Sequence, residues 1–307
     1  MTSVPPPSGP SPSAPLVRPE LPDGLPPERI PRDPVPAPTG DGWLHLPLWA
    51  PFAAMFGAVI AILLVGAIAT MVWLVVDPGA NTETTPDGLL IALTVVQDAL
   101  LVGAAVYTVA AMLKRVTPWM FGLRPVALGT ALKWMLAAYA GYWLVNVVLL
   151  GIFGEPPEQD LVRDLKNTQD LAVLIGFGVL TCFVAPLAEE LFFRGFMFSV
   201  LAGRLGVWWG AAITGVIFGL IHLPGAPALG IAVLIVFGAA LCFLYYKTGS
   251  LIPCMALHAF NNAVSFGFTK SLPGWGIALL IVASVAAVVS VGVTIARRGG
   301  TPSPAPA

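Results

Sequence analysis

The amino-acid sequence predicts an all-α membrane protein, a bundle of about eight transmembrane helices preceded by a disordered, proline-rich tail. Two observations lead to this fold class. The chain is 57% hydrophobic and only 10% charged, whereas soluble domains carry about 25% charged residues. It also contains several apolar runs of the roughly 20 residues that a helix needs to cross the hydrocarbon core of a bilayer. The composition therefore argues against a soluble globular domain.

Eight apolar segments are predicted to be the membrane-spanning helices. They are approximately 46–76, 88–113, 128–153, 171–203, 207–223, 227–246, 251–268 and 275–296. Together they define a transmembrane helical domain over residues 42–298. A disordered C-terminal tail is expected at 299–307.

Residues 1–41 differ in kind, because they are rich in proline and contain no apolar run. Such a composition is typical of a disordered, partly polyproline tail. A signal peptide needs a basic start followed directly by an apolar stretch of about 7 to 15 residues, and this tail contains none. The first span is therefore expected to be retained as an anchor.

Basic residues outside the tail collect in alternate connections between the spans. They are Lys114, Arg115, Arg124, Arg204, Lys247, Arg297 and Arg298. The opposite connections are acidic or neutral apart from Lys270 and the minority cations of the 155–170 connection. The positive-inside rule places the basic connections on the cytoplasmic side. We therefore expect an integral membrane protein with both termini in the cytoplasm. The high content of Ala, Gly, Pro and Val is typical of a GC-rich bacterial genome, so we expect the membrane to be a bacterial cytoplasmic membrane.

Few charged residues remain inside the spans. They are chiefly Asp98, Glu189, Glu190 and Arg194. A charge at mid-membrane costs roughly 2.5 to 3.5 kcal/mol on insertion scales, so each of them is a candidate functional residue. We interpret Asp98, which has no partner nearby in sequence, as a protonated or hydrogen-bonded structural acid.

The segment FVAPLAEELFFRGFMF, residues 183–198, carries three of these charges. Glu190 precedes Arg194 by four residues, which predicts an ion pair on one face of a helix. Adjacent helical residues point about 100° apart, so Glu189 faces elsewhere and keeps an unpaired carboxylate that suits a general base. Pro186 is expected to kink this helix and to release a backbone carbonyl.

Two of the three histidines lie in other apolar segments. If the fourth and fifth spans form a hairpin that turns at 204–206, Glu189 and His222 reach the same depth, because each is about 16 residues from the turn. His258 and Asn262 are one turn apart in the segment HAFNN. Matching His258 to the depth of Glu189 requires a staggered or tilted helix.

Glycines spaced by four residues follow the predicted hairpin turn. They are Gly206 and Gly210, then Gly215 and Gly219. This spacing predicts the close helix approach that would let Glu189 meet His222.

Two chemical arrangements fit these side chains. In the first, Glu189 activates a water molecule with help from His222, and His258 and Asn262 stabilise the oxyanion on an attacked carbonyl. In the second, the two histidines and a carboxylate hold one divalent metal such as zinc, which lowers the pKa of a bound water. Both arrangements hydrolyse a peptide bond within the membrane. The cysteines, Cys182, Cys242 and Cys254, lack paired spacing and are expected to be small core residues.

Three elements, in this order on separate spans, carry a resemblance to a known family. They are Glu189 and Glu190 with Arg194, Phe218 with His222, and His258 with Asn262. They resemble the CPBP family of CAAX prenyl proteases and bacteriocin-processing enzymes, also called the Abi family. The resemblance covers roughly residues 120–268 and leaves the tail and the first span outside.

The resemblance implies an intramembrane endopeptidase, a CAAX prenyl protease-like hydrolase, with Glu189 as the water-activating base. Glu190 and Arg194 are then its structural partners, and Phe218 packs the site wall. His222, His258 and Asn262 complete the site. Members are commonly called metalloproteases, yet a glutamate-activated water has also been proposed for them. The resemblance therefore leaves both arrangements open, with His222 and His258 as the ligands if a metal is present.

The expected partners are membrane lipid and a peptide or membrane-protein substrate, and no nucleic acid. A non-catalytic membrane scaffold or bacteriocin-immunity factor of the same fold is the alternative function. A third reading is a proton-coupled carrier with Glu189 and Asp98 as relay groups. Transporters of that kind often contain internal repeats, and this sequence has no convincing one.

Overall fold

The computed structural model describes residues 46–77, 79–80, 85–114, 116–154, 160–223 and 225–298. The predicted tails, 1–41 and 299–307, lie outside these residues. The described residues form helices, turns and irregular connections, with no strand among them. The predicted all-α fold class is confirmed.

Nine helices account for most of the described residues. They are α1 (Ala50–Val76), α2 (Asp87–Leu113), α3 (Leu128–Phe153), α4 (Asp160–Asn167), α5 (Leu171–Leu205), α6 (Val207–Leu220), α7 (Ala228–Thr248), α8 (Leu251–Thr269) and α9 (Gly274–Arg298). A single 3-10 turn, Pro118–Phe121, precedes α3. Each of the eight predicted segments coincides with one helix, although α6 ends at Leu220, before the predicted end at residue 223. The short helix α4, within a connection interpreted as acidic loop, was not predicted.

Six of these helices are long and apolar enough to cross a membrane: α1, α2, α3, α5, α7 and α9. The helix α6 is apolar but has only 14 residues, fewer than the roughly 20 that a full crossing requires. The helix α8 has 19 residues and is not one of the six, because His258, Asn261 and Asn262 lower its mean hydropathy. These two shorter or more polar helices carry the histidines.

The outer surface of the bundle is apolar. On α1, for example, Phe56, Leu63, Ile68 and Met71 are all more than half exposed. Exposure of such a continuous apolar surface to water is unfavourable, whereas contact with the hydrocarbon core of a bilayer is favourable. The structure is therefore that of an integral membrane protein.

The best-packed part of the interior surrounds the second half of α5 and the first half of α8. Every residue from Phe192 to Leu201 is buried, as is every residue from Leu251 to Ala259. A helix that is buried on all sides belongs to the centre of a bundle. The two segments that carry the predicted site residues are thus interior segments.

The predicted hairpin between the fourth and fifth spans is confirmed. Gly206 separates α5 from α6 and has a φ of +84°, a conformation that glycine adopts without a steric penalty. A Cβ atom on Gly210 would lie 2.8 Å from the backbone nitrogen of Ala202. A Cβ atom on Gly215 would lie 2.9 Å from the carbonyl oxygen of Ile235 on α7. The glycines therefore allow the close helix approach that their spacing predicts.

Substitution of Gly215 by leucine is expected to destabilise the bundle, because the new side chain meets the α7 backbone and forces α6 and α7 apart. Overpacking of this kind costs about 1 to 3 kcal/mol. The control is Gly141→Leu on α3, where nothing lies within 4 Å of the position of a Cβ atom. Thermal unfolding in detergent is the measurement, and equal melting temperatures for the two variants would contradict the close contact.

Candidate active site

Two segments of wider π-helical winding interrupt α5. They are Leu180–Val184 and Leu191–Phe198. Between them lies one regular α-helical segment, Ala185–Glu190, which ends in the two glutamates. π-helical segments occur frequently at functional sites, because they redirect side chains without ending the helix. The predicted site residues Glu189 and Glu190 therefore lie where α5 is least regular.

Pro186 accounts for the first irregular segment, as the sequence predicts. The N–H of Ala185 bonds to the carbonyl of Leu180, five residues earlier. The next donor in this register would be residue 186, which as proline has no N–H. The carbonyl of Thr181 therefore has no donor in this register, and Nδ2 of Asn262 donates to it at 2.8 Å. The released carbonyl thus ties α5 to α8.

Glu190 is the centre of a buried polar network. Nη1 of Arg194 donates to Oε1 of Glu190 at 2.7 Å, and both side chains have 0% exposure. The predicted ion pair is confirmed. The same Oε1 atom lies 2.8 Å from Nδ1 of His258 on α8. Nη2 of Arg194 also donates to the carbonyl of Gly238 on α7 at 3.0 Å, so the network joins α5, α7 and α8.

Aromatic rings enclose this network. The guanidinium carbon of Arg194 lies 4.5 Å from the centroid of Phe218. The ring of His258 packs edge-on against Phe218 and Phe237, with centroid distances of 5.9 Å and 5.5 Å. Phe218 therefore forms part of the site wall, as the sequence predicts. The rings exclude water from the ion pair and strengthen it.

His258 also faces Glu189, through its second ring nitrogen. Nε2 of His258 lies 3.9 Å from Oε2 of Glu189, which is too long for a direct hydrogen bond. Since Nδ1 faces the carboxylate of Glu190, the proton of the neutral ring belongs on Nδ1. Nε2 is then an acceptor that faces a second acceptor. The gap between them suits a donor that can bridge both, such as one water molecule.

His222 lies in the turn that follows α6. Its Nδ1 atom is 2.9 Å from the carbonyl oxygen of Phe218, and the two rings pack with centroids 5.4 Å apart. A carbonyl can only accept, so the ring proton lies on Nδ1 and leaves Nε2 as an acceptor. His222 forms no ion pair with Glu189. The expected approach of these two residues stays a prediction, and the imidazole that lies 3.9 Å from the Glu189 carboxylate is that of His258.

The described residues contain no group of three or more His, Cys, Asp or Glu side chains that could hold a metal ion. Two histidines and one glutamate, the ligand set that the sequence leaves open, do not converge on a common point there. The side chains thus do not fit a divalent metal such as zinc. Cys182, Cys242 and Cys254 are free and buried, as predicted for core residues.

Asp98, one of the predicted charges inside the spans, lies on α2, and α2 packs against the segment of α5 that ends in the two glutamates. Its side chain is 3% exposed, and its Oδ2 atom has no hydrogen-bond partner among the described residues. Because Asp98 precedes Glu189 by more than 90 residues on a different helix, no local spacing connects the two.

An apolar cavity of about 560 Å³ lies beside the site, between α5, α8 and α9. Gly178 and Phe183 on α5 line it on either side of Thr181, and Phe266 lines it one turn after Asn262. The lining is almost entirely hydrocarbon, apart from Lys270 and Ser284. The cavity thus lies between α5 and α8, the two helices that the contact between Thr181 and Asn262 joins, although neither of these residues lines it.

Residues 171–264 match the family model described as type II CAAX prenyl endopeptidase, Rce1-like. This segment of the chain is similar to that family. It runs from the start of α5 into α8 and contains every residue on which the predicted resemblance depends, so the resemblance is confirmed.

One relative of the chain has no described activity. A protein of Escherichia coli, described as an uncharacterized 24.3 kDa protein, is 31% identical over 128 residues. These residues are 41% of this chain and 58% of that protein, so the chain spans little more than half of the relative. No solved structure matches the chain significantly.

Removal of the cation from the buried network is expected to be strongly destabilising. Arg194→Met leaves the carboxylate of Glu190 buried without its cation, which costs about 3 to 5 kcal/mol. The double variant Glu190→Gln with Arg194→Met is expected to recover part of this loss, because no unpaired charge remains. Unfolding by detergent titration measures the stability of the single and the double variant. The control is Arg204→Met, which removes a cation from the exposed end of the same helix. A double variant no more stable than Arg194→Met would refute the coupling.

The bond between Asn262 and Thr181 is expected to depend on Pro186. Asn262→Ala leaves the Thr181 carbonyl without a donor, which costs about 1 to 3 kcal/mol. In a Pro186→Ala background the same change is expected to cost less, because residue 186 regains an N–H that can reach this carbonyl. The two losses of unfolding free energy are compared in a double-mutant cycle. Equal losses in both backgrounds would show that the proline does not release the carbonyl.

Proposed function

We propose that the chain is an intramembrane endopeptidase that hydrolyses a peptide bond with a water molecule activated by Glu189. The observation that carries this proposal is the pair of acceptors, Oε2 of Glu189 and Nε2 of His258, which face each other at 3.9 Å. Both belong to the segment that matches a family of membrane endopeptidases. A metal-bound water is the alternative, and its ligand set of two histidines and one glutamate does not gather among the described residues.

A water molecule between the two acceptors is held in a reactive orientation. One of its hydrogens points to Glu189 and the other to His258. Its lone pairs then point away from both side chains, towards an incoming carbonyl carbon. Holding the nucleophile in this way supplies part of the rate enhancement through orientation.

The proposed reaction transfers one proton to Glu189 and later returns it. The water oxygen forms a bond to the carbonyl carbon while its proton moves to the Glu189 carboxylate. The resulting tetrahedral intermediate carries a negative charge on the former carbonyl oxygen. Its collapse breaks the bond from carbon to nitrogen, and Glu189 protonates the departing amine. Atoms and charges balance, and no cofactor is consumed.

Asn262 and His222 have distinct proposed roles around this reaction. Nδ2 of Asn262 carries two hydrogens, of which one is engaged by Thr181. The other is a candidate donor to the developing oxyanion. His222 offers Nε2 as an acceptor, which suits it to orient the water or the N–H of the scissile peptide. Glu190 and Arg194 act by holding His258 in one tautomer and orientation.

The proposed substrate is an apolar or lipid-modified peptide that reaches the site within the membrane. The cavity beside Thr181 and Asn262 is lined almost entirely by hydrocarbon, which suits an apolar side chain or a hydrocarbon chain. The matched family is named for CAAX prenyl endopeptidases. We further propose that the protein lies in a bacterial cytoplasmic membrane with both termini in the cytoplasm, as the distribution of its basic residues favours.

Substitution of Glu189 by glutamine is expected to abolish cleavage while the protein stays folded. The variant keeps the size of the side chain but removes the base, which contributes about 10²- to 10⁴-fold to the rate. The wild type and the variant are reconstituted in liposomes with a prenylated CAAX reporter peptide and with an unmodified transmembrane peptide. Mass spectrometry of the products measures cleavage, and thermal unfolding checks the fold.

The matched control is Asp87→Asn, which removes a carboxylate from the exposed first turn of α2 and is expected to leave cleavage unchanged. His222→Ala is expected to reduce cleavage as well. Cleavage that survives both Glu189→Gln and His222→Ala would refute the proposed mechanism. Loss of cleavage on treatment with a chelator, restored by zinc, would favour the metal arrangement. A cellular phenotype that both variants retain would favour a non-catalytic scaffold or immunity factor.

A further inference from the structure

Two lysines lie against one tryptophan ring at one end of the bundle. Nζ of Lys133 lies 5.1 Å from the ring centroid of Trp134, and Nζ of Lys247 lies 5.0 Å from the same centroid. The two ammonium groups are therefore no more than about 10 Å apart, although they belong to different helices. Both side chains are exposed, whereas Trp134 is half-buried.

The tryptophan ring is held in place by the neighbouring helix. Trp134 on α3 packs edge-on against Phe243 on α7, with ring centroids 5.7 Å apart. Lys247 also lies 5.4 Å from the centroid of Phe243 and 5.2 Å from that of Tyr246. Its ammonium group therefore has three rings around it. Such a group is fixed more firmly than a lysine that extends freely into water.

The two helices that carry these lysines, α3 and α7, contain no carboxylate. The sequence has no Asp or Glu in residues 99–154, a range that includes all of α3. It also has none in residues 191–307, a range that includes all of α7. Neither Lys133 nor Lys247 forms an ion pair with another described residue. Two ammonium groups at most about 10 Å apart repel each other weakly, and an anion between them is attracted by both. No described residue on α3 or α7 supplies such an anion.

The position of the lysines along their helices indicates where that anion lies. Lys133 is in the second turn of α3, which begins at Leu128, and Lys247 is in the last turn of α7, which ends at Thr248. Both are thus near the ends of membrane-crossing helices, at the depth of lipid headgroups, where tryptophan is also enriched. Ser250 Oγ donates to the carbonyl of Arg124 at 2.6 Å, which links the connections adjoining these two helix ends.

The surface next to the lysines suits hydrocarbon. Leu132 and Leu136 share a face of α3 beside Lys133, and they are 49% and 71% exposed. A free phosphate ion would use the lysines but not this apolar surface. A phospholipid would use both, with its phosphate at the lysines and its acyl chains along α3.

We infer that Lys133, Trp134 and Lys247 form a binding site for the phosphate headgroup of an anionic phospholipid. The two ammonium groups bind the phosphate oxygens, and Trp134 lies at the level of the glycerol backbone. With the proposed orientation, the site faces the cytoplasmic leaflet, whose anionic lipids attract basic residues near the surface. The inference is independent of the proposed hydrolysis, because none of these residues takes part in it.

The test compares lipids with identical acyl chains and different headgroups. The purified full-length protein is titrated in detergent with phosphatidylglycerol or phosphatidylcholine, and native mass spectrometry counts the bound lipids. The wild type is expected to retain one phosphatidylglycerol in preference to phosphatidylcholine. The double variant Lys133→Gln with Lys247→Gln is expected to lose at least about tenfold of this preference, since each lysine near a surface contributes appreciably.

The matched control is the double variant Arg297→Gln with Arg298→Gln. It removes the same charge from the exposed last turn of α9 and is expected to keep the preference. A second variant, Lys133→Arg with Lys247→Arg, keeps both charges and is expected to bind like the wild type. This variant provides a test if the double glutamine variant does not fold. Loss of the preference for phosphatidylglycerol in a folded double arginine variant would count against the site.

Three results would overturn the inference. The first is an equal loss of preference in the glutamine pair and in the α9 control, which would indicate a general charge effect. The second is an unchanged preference in the folded glutamine pair. The third is full competition by millimolar inorganic phosphate, which would indicate a site for a soluble anion instead of a lipid.

Discussion

The arrangement of the candidate site depends on one buried carboxylate oxygen. Oε1 of Glu190 accepts from Arg194 at 2.7 Å and faces Nδ1 of His258 at 2.8 Å, while Arg194 also reaches the backbone of α7. A charge buried without partners is far less stable than the same charge paired. If the three helices slid past one another, these contacts would break and leave a buried charge without its partner. The network therefore fixes the register of the helices more firmly than apolar contacts alone do. Apolar side chains can pack almost equally well in several similar registers.

A second connection between α5 and α8 has a different origin. Pro186 removes a donor from α5, and the amide of Asn262 replaces it at the Thr181 carbonyl. The two connections join residue 190 to 258 and residue 181 to 262, so the helices run antiparallel here. Because His258 and Asn262 are one turn apart, they lie on the same face of α8. One face of α8 thus carries two residues that contact α5. His258 contacts Glu190, and Asn262 donates to the released carbonyl of Thr181.

Local spacing predicts much of this site, and tertiary packing decides the rest. The ion pair of Glu190 and Arg194 follows from a spacing of four on one helix, and the released carbonyl follows from the covalent structure of proline. The partner of Glu189 does not follow in this way. Counting residues from the hairpin turn predicts the depth of His222 in the bundle. It does not predict the direction in which the side chain points. It also does not predict that α6 ends at Leu220, so that His222 lies in the following turn. The approach of α8, which brings His258 to both glutamates, is a property of the assembled bundle.

The two adjacent glutamates show how the bundle assigns different chemistry to identical side chains. Glu190 is fully buried and neutralised, whereas Glu189 keeps 13% exposure and faces only the acceptor nitrogen of an imidazole. Two acceptors at this distance in an apolar surrounding favour a donor between them. A single water molecule is small enough to donate to both. The pairing that fixes the tautomer of His258 therefore also leaves its Nε2 atom free to accept from such a donor.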